Sequence, residues 1–429
     1  MTGEKPRRYR LDVSAQFYPI ISTPRSQSLF RFAAELDAPV DAATLQRATA
    51  DALTRFPTFR VRLKMGYAWY FFEENSAPVP VVESDGKLLT PLRPKDTAGY
   101  PFRMAYRGNT VEFEVFHAVA DGMSAMEFFK AVLLRYAVLC GRSEDADAVI
   151  REPSDEEEAE DAFRRYYRPI RLGDVDLKSL MGAPPFLLPG TVSKEGYSAT
   201  HYTVRTADLL AAAKAKAASL TAFIGGVIAY TVCRYAAPKR PIAVMVPVNL
   251  RKMFPSRTMR NFVNFVRLVF RPKDCDSLDA CVSSAAVQLR EKATKEEMAK
   301  FFATTVRAEK SLVLSIAPLW FKIFMARLCR PVLKSRQTMI FSNIGKVDLP
   351  ADCGVKRVVF NLNVSKNAKV NLGAVTLGDE TTFAFTRSIY ETDFEDEFVK
   401  VLRGLSVPLG ASGTDIAPGE TLAPLAAKV

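Results

Sequence analysis

Between Val111 and Leu139 the hydrophobic period changes from that of a strand to that of a helix, and the change falls on His117-Ala118-Val119-Ala120-Asp121-Gly122. Before it, Val111-Glu112-Phe113-Glu114-Val115-Phe116 alternates. Alternation puts Val111, Phe113, Val115 and His117 on one strand face and Glu112 and Glu114 on the other. After it, the run from Met123 through Phe128, Phe129, Val132 and Leu134 reads as a helix. A strand that turns directly into a helix must bury both apolar faces in one layered unit. The turn also holds an imidazole rigidly while leaving it within reach. The chain has two histidines, and the other, His201, has no comparable setting.

The chemistry asks for these residue types. Imidazole, with an unperturbed pKa of about 6.5, takes a proton from a hydroxyl, amine or thiol near neutral pH. A carboxylate four residues on, Asp121, fixes the turn or holds a partner that fixes it. Gly122 supplies unusual backbone angles or a close approach. Each residue alone has a plainer reading. A lone His on an apolar face is usually a satisfied core residue, Asp121 a helix N-cap, and Gly122 a turn. Their joint spacing at a strand-to-helix boundary favours function.

Two further runs share this character. Pro247-Val248-Asn249-Leu250-Arg251 is followed by Arg260-Asn261-Phe262-Val263-Asn264, and Phe341-Ser342-Asn343-Ile344-Gly345 comes later. With the H-x-x-x-D-G spacing, and in this order, they resemble the signatures of the CoA-dependent acyltransferase superfamily. That superfamily includes chloramphenicol acetyltransferase, lipoyl-domain acyltransferases, plant BAHD enzymes and peptide-synthetase condensation domains. The texture is closest to the alcohol acetyltransferase-like branch. The resemblance covers most of about residues 15 to 405.

The resemblance implies an α+β fold: two chloramphenicol-acetyltransferase-like α/β sandwich domains with the active-site tunnel between them. It implies that His117 is a general base and that acyl-CoA is a co-substrate, with no permanently bound cofactor. The acceptor is a small-molecule alcohol or amine. Asp121 pairs with Arg251 as a structural anchor; the plainer reading of Arg251 is a solvent-facing loop charge. Asn264 supports the edge of the ladder near the tunnel. Ser342 donates to the oxyanion of a tetrahedral intermediate, or Ser342 and Asn343 form a turn ahead of Gly345. The chain departs from the pattern in places. Phe116, not a second histidine, precedes His117, and the D-F-G-W-G motif of plant enzymes is absent. No G-x-S-x-G suggests a serine nucleophile. An enzyme using thioesters on an acyl carrier protein, and a non-catalytic relative, are the alternatives.

Length and charge bound the rest. At 429 residues two domains are expected. We place them at 1–180, carrying the His motif, and 181–408, with a disordered Gly-, Pro- and Ala-rich tail over 409–429. An acidic stretch at about 143–165, including Asp155-Glu156-Glu157-Glu158, reads as an exposed connection. The net charge of +12 suits an anionic partner such as CoA phosphate. No nucleic-acid motif accompanies it, so a nucleic-acid partner is not expected. The six cysteines lack C-x-x-C pairs and read as reduced thiols of a cytoplasmic protein, with no metal cluster. No apolar run follows the basic N-terminus, so no signal peptide is expected.

Elsewhere the periodicity predicts a strand at Ser28–Leu36, a helix at Val40–Phe56 capped by Asp41, and two strands over Phe59–Glu74. Helices are expected over Leu220–Tyr235, Leu278–Met298 and Phe394–Leu405. Val355–Val364, Val370–Leu377 and Thr382–Arg387 read as a meander. Ser311–Leu333 is strongly apolar but interrupted by Lys322, Arg327, Arg330 and Pro331, which argues against a membrane span. We read it as an internal packing helix, with peripheral contact to an anionic membrane as the alternative.

Overall fold

Three sheets, of five, seven and three strands, organise the described residues. The computed structural model describes residues 6–24, 26–142, 155–169, 183–329, 337–365 and 368–415. The strands are β1 (Arg8–Arg10), β2 (Leu29–Leu36), β3 (Val61–Met65), β4 (Tyr70–Glu74), β5 (Val81–Glu83), β6 (Phe102–Arg107), β7 (Thr110–Phe116), β8 (Ser198–Arg205), β9 (Ile242–Asn249), β10 (Val263–Phe270), β11 (Met339–Val347), β12 (Val355–Asn361), β13 (Val370–Leu377), β14 (Glu380–Arg387) and β15 (Gly410–Asp415). The helices are α1 (Phe17–Ile21), α2 (Ala42–Arg55), α3 (Gly122–Leu139), α4 (Ala162–Arg165), α5 (Thr206–Ala215), α6 (Leu220–Ala236), α7 (Leu278–Lys292), α8 (Lys295–Lys310), α9 (Leu312–Ile316), α10 (Leu319–Cys329) and α11 (Asp393–Arg403).

The first sheet runs β12-β2-β7-β6-β5 and the second β10-β9-β11-β13-β14-β8-β15. In the first, α2 and α3 cover the apolar face. Phe128 and Phe129 of α3 stack against Phe59 and Phe113. Asp41 caps α2 as expected, accepting from Thr44 N–H at 2.7 Å. In the second, α6 packs between α7 and α11 over β9.

Structure and expectation part company in five places. First, β12 is not the opening strand of a meander. It leaves its sequence neighbours and pairs antiparallel with β2 in the first sheet. A cut between residues 180 and 181 therefore leaves the second sheet whole but takes β12 away from the first. The crossing is tight: a Cβ on Gly373 of β13 would sit 1.9 Å from the Phe360 carbonyl oxygen. We expect Gly373→Ala to cost about 1–3 kcal/mol or more through this overpacking. Denaturant unfolding measures it, and an unchanged midpoint and slope would refute the constraint.

Second, Glu112 and Glu114 are both buried: beside Glu112, Ala33 packs on Ala384 of β14, while Glu114 is covered by the Leu89 loop, whose N–H donates to it at 2.6 Å. Arg31 meets Glu112 at 2.9 Å, and Arg103 meets Glu114 at 2.7 Å. Third, the tail is not structureless from Gly410. Gly410–Asp415 pair with β8, and Asp415 lies 3.6 Å from Arg31. Small and polar residues hide this strand from a periodicity reading, since backbone bonding holds it. The rest of the tail lies outside the described residues.

Fourth, the acidic stretch is not wholly an exposed connection. Residues 143–154 lie outside the described residues, but Glu158 is buried and takes a fork of two 2.8 Å bonds from Arg55. Fifth, Ser311–Leu333 is not an internal helix. Its described part divides at Pro318 into α9 and α10, and much of its apolar surface faces outward. The Leu278–Met298 helix likewise divides, with Thr294 capping α8.

Candidate active site

The H-x-x-x-D-G run lies where the first sheet meets the loop entering β10. His117 follows β7, and its backbone N–H donates to Ser28 O at 2.9 Å. The ring is clamped from two sides. Tyr18 of α1 stacks on it at 4.5 Å between centroids, and Phe30 of β2 meets it edge-on at 5.1 Å.

The third constraint comes from the other half of the chain. Nδ1 of His117 lies 3.0 Å from Oδ1 of Asn261. Asn261 is itself oriented, because its Nδ2 donates to Asp12 Oδ2 at 3.2 Å and its backbone N–H to the same oxygen at 3.3 Å. Asp12 Oδ1 accepts from Ala15 N–H and Ser14 Oγ, both at 2.7 Å. A carboxylate accepting from four donors leaves Asn261 only its oxygen to present to the imidazole. The network therefore assigns the proton to Nδ1 and the lone pair to Nε2. Burial lowers the His117 pKa from its ordinary value, against the raising effect of Asp121, Asn261 and Asp12. The ring is thus a neutral base near pH 7.

Asp121 has two jobs at once. Its Oδ1 caps α3 by accepting from Ser124 N–H at 3.0 Å. Its Oδ2 accepts from Arg251 Nη1 and from Phe262 N–H, each at 2.8 Å. Burial raises the Asp121 carboxyl, but Arg251 and these N–H donors bring it below its ordinary value. Arg251 also donates to Ser124 Oγ at 2.8 Å, to Arg260 O at 2.7 Å and to Thr258 O at 3.0 Å. One guanidinium thus ties the start of α3 to the loop that presents Asn261. Gly122 lies close to β11: a Cβ there would sit 2.9 Å from Ile344 Cδ1, the end of a side chain that would have to shift. The end of β11 accordingly reaches the same turn.

No family model matches the chain, and no curated protein matches it. Solved structures do. Polyketide synthase associated protein 5 from Mycobacterium tuberculosis has a TM-score of 0.60 at 15% identity, covering 94% of this chain and 98% of that one. The epimerization domain of the third module of tyrocidine synthetase B has a TM-score of 0.61 at 13% identity, covering 94% and 97%. The first condensation domain of the calcium-dependent antibiotic synthetase, in complex with a substrate analogue, has a TM-score of 0.59 at 14% identity, covering 94% and 96%.

The chain has the condensation-domain fold. Within that fold His117, Asp121, Gly122 and Arg251 come together as one cluster. Ser342 is buried in β11 opposite Gly373, two residues before the Ile344 that touches the turn. Asn343 accepts from Gly345 N–H at 2.8 Å, the turn geometry weighed above, and Gly345 has a φ of +86°. Asn264 sits on the edge strand β10, with Nδ2 3.4 Å from Met298 Sδ. His201 is buried between the sheets beside Asn361 and Asp415, and burial holds it down at about 4.

Periodicity and spacing did not single out Asn261, Asp12 or Tyr18. Asn261 lies inside the Arg260–Asn264 run, but no local pattern distinguishes it from Asn264. Asp12 and Tyr18 carry no signal, because their partners are far away in the chain. Among the described residues no three His, Cys, Asp or Glu side chains gather as a metal site.

Proposed function

We propose that the chain is an acyltransferase that moves an acyl group from acyl-CoA to an alcohol or amine. The observation that supports this most is the relay His117–Asn261–Asp12, which leaves Nε2 of a neutral imidazole as the free base. Nε2 takes the proton of the acceptor O–H or N–H. The acceptor oxygen or nitrogen then forms its bond to the thioester carbonyl carbon. Ser342 is the candidate donor to the resulting oxyanion. Collapse breaks the C–S bond, and the imidazolium returns its proton to the departing thiolate. No acyl-enzyme forms. Asp121 and Arg251 act as positioning residues that hold the turn rather than move protons.

The test is free-thiol release from acetyl-CoA and a longer acyl-CoA across a panel of alcohols and amines. Acceptor-dependent release supports the reading; its absence from a folded, CoA-binding protein with every pair removes it. A second reading takes the thioester on a carrier protein. The condensation and epimerization domains among the similar structures favour it, and phosphopantetheinyl-protein donors in the same assay distinguish it.

The proton inventory gives a pH prediction. Protonated His117 is inactive as a base, so kcat/KM should rise with pH through the His117 pKa. Because that pKa is lowered, the half-point should fall below 6.5, the ordinary value. Asn261→Ala removes a contact that raises it. The variant should therefore be slower at its plateau, with a half-point shifted further down. A half-point that moves up would contradict the Nδ1–H assignment.

A further inference from the structure

The end of the molecule formed by α1, the β3–β4 turn and α10 is built inside out. Along α10, Trp320, Phe324 and Leu328 recur at every fourth position and are 68%, 57% and 62% exposed. On the opposite side of the same helix, Lys322 is buried. Its Nζ donates to Ala68 O at 2.5 Å and sits 3.3 Å above the Trp69 ring. A packing helix in water orients these residues the other way. Neighbouring elements extend the apolar face: Ile316 ends α9, Tyr67 tops the β3–β4 turn and Phe17 lies on α1, all exposed. They are held as one surface. Leu319 N–H donates to Tyr67 O at 2.7 Å, and α1 packs on α10.

Charge says what covers it. Phe17–Ile21, Val61–Tyr70 and Leu312–Cys329 contain no Asp or Glu, while Arg62, Lys64, Lys322 and Arg327 are all cationic, on a chain of net charge +12. Of these, Arg62 and Lys64 face Glu73 at 2.9 and 3.9 Å and Lys322 is buried, which leaves Arg327 as the exposed cation without an acidic neighbour in these segments. Protruding Trp, Tyr and Phe beside the exposed Arg327, on a chain of net charge +12, suit an anionic lipid headgroup layer. No single helix among the described residues is long and apolar enough to cross a membrane, so the contact is with the surface of the bilayer.

We propose that this end of the molecule docks on anionic membranes, with Trp320, Phe324 and Leu328 entering the headgroup layer and Arg327 facing its charge. The proposal stands apart from the acyl-transfer reading, since its residues are not those of the site. It does place α1 at the junction, with Phe17 at the docking face and Tyr18 against His117.

Vesicle flotation tests it, with the full chain and phosphatidylcholine vesicles with or without phosphatidylserine, at low and high salt. The protein should float with the anionic vesicles at low salt, and salt should release it. Trp320 emission should shift to the blue in a Trp69→Phe background, which leaves one tryptophan. Trp320→Ser with Phe324→Ser and Leu328→Ser should lower partitioning by about tenfold or more with an unchanged melting temperature, because these side chains are exposed. Arg327→Glu should weaken binding to anionic vesicles alone. A folded wild type that ignores anionic vesicles at low salt overturns the proposal. So does a triple variant that floats like wild type, or a surface that captures an acyl carrier protein but no vesicle.

Discussion

Arg251→Met should destabilise the fold by about 3–5 kcal/mol, the cost of leaving one member of a buried ion pair without its partner. Asp121 is 2% exposed and relies on Arg251 Nη1 at 2.8 Å for its only charged partner among its recorded hydrogen bonds. The same guanidinium holds Ser124 Oγ, Thr258 O and Arg260 O, so its loss also frees the loop that carries Asn261. Asp121→Asn should cost less. An amide oxygen still caps α3, and Arg251 keeps four neutral acceptors, Ser124 Oγ, Asn249 Oδ1, Thr258 O and Arg260 O. The double variant should be less destabilised than the two singles summed, because the coupling is lost only once. Denaturant unfolding measures all three. The sign with pH follows from the lowered Asp121 pKa. The pair's contribution is full above the unfolded carboxylate pKa and is lost as pH falls through the lower folded value. The gap between wild type and Arg251→Met should therefore narrow in acid. An Arg251→Met protein within about 1 kcal/mol of wild type at neutral pH would mean that the pair does not anchor the turn.

His117→Ala should lower acceptor-dependent thiol release by about 10²–10⁴-fold, the range for one positioned general base. The ring's clamp between Tyr18 and Phe30 explains why position matters as well as pKa. Truncation leaves a gap against both aromatics, so the melting temperature must be read beside the rate. His117→Gln keeps more of the volume without an imidazole base and should be just as slow. A loss of under about tenfold in both variants, in folded protein, would remove His117 as the base.

Much of this site can be read from local chemistry. His117, Asp121 and Gly122 are set by one boundary between two periods, and that boundary is a property of neighbouring residues. Asp121 as an N-cap follows from the same local rule, and the structure keeps that role while adding Arg251. The α2 and α3 helices and the strands around them are legible for the same reason: each buries one face on a fixed repeat. Strand β15 is not, because Gly410–Asp415 has no apolar face and is held by the β8 ladder.

The sequence by itself determined which chemistry the turn carries: an imidazole at a strand end, a capping carboxylate, and a glycine at the first position of the helix. Only the tertiary structure decided which nitrogen of that imidazole is free. Asn261 and Asp12 lie 249 residues apart and act on His117 only because the loop entering β10 is laid across β7. Tertiary structure also decided which way α10 faces. Its composition fits a buried or an exposed helix equally, and burying Lys322 on the β3–β4 turn is what leaves Trp320 outside. Local periodicity reports the faces an element has; which face meets protein depends on contacts between residues hundreds of positions apart.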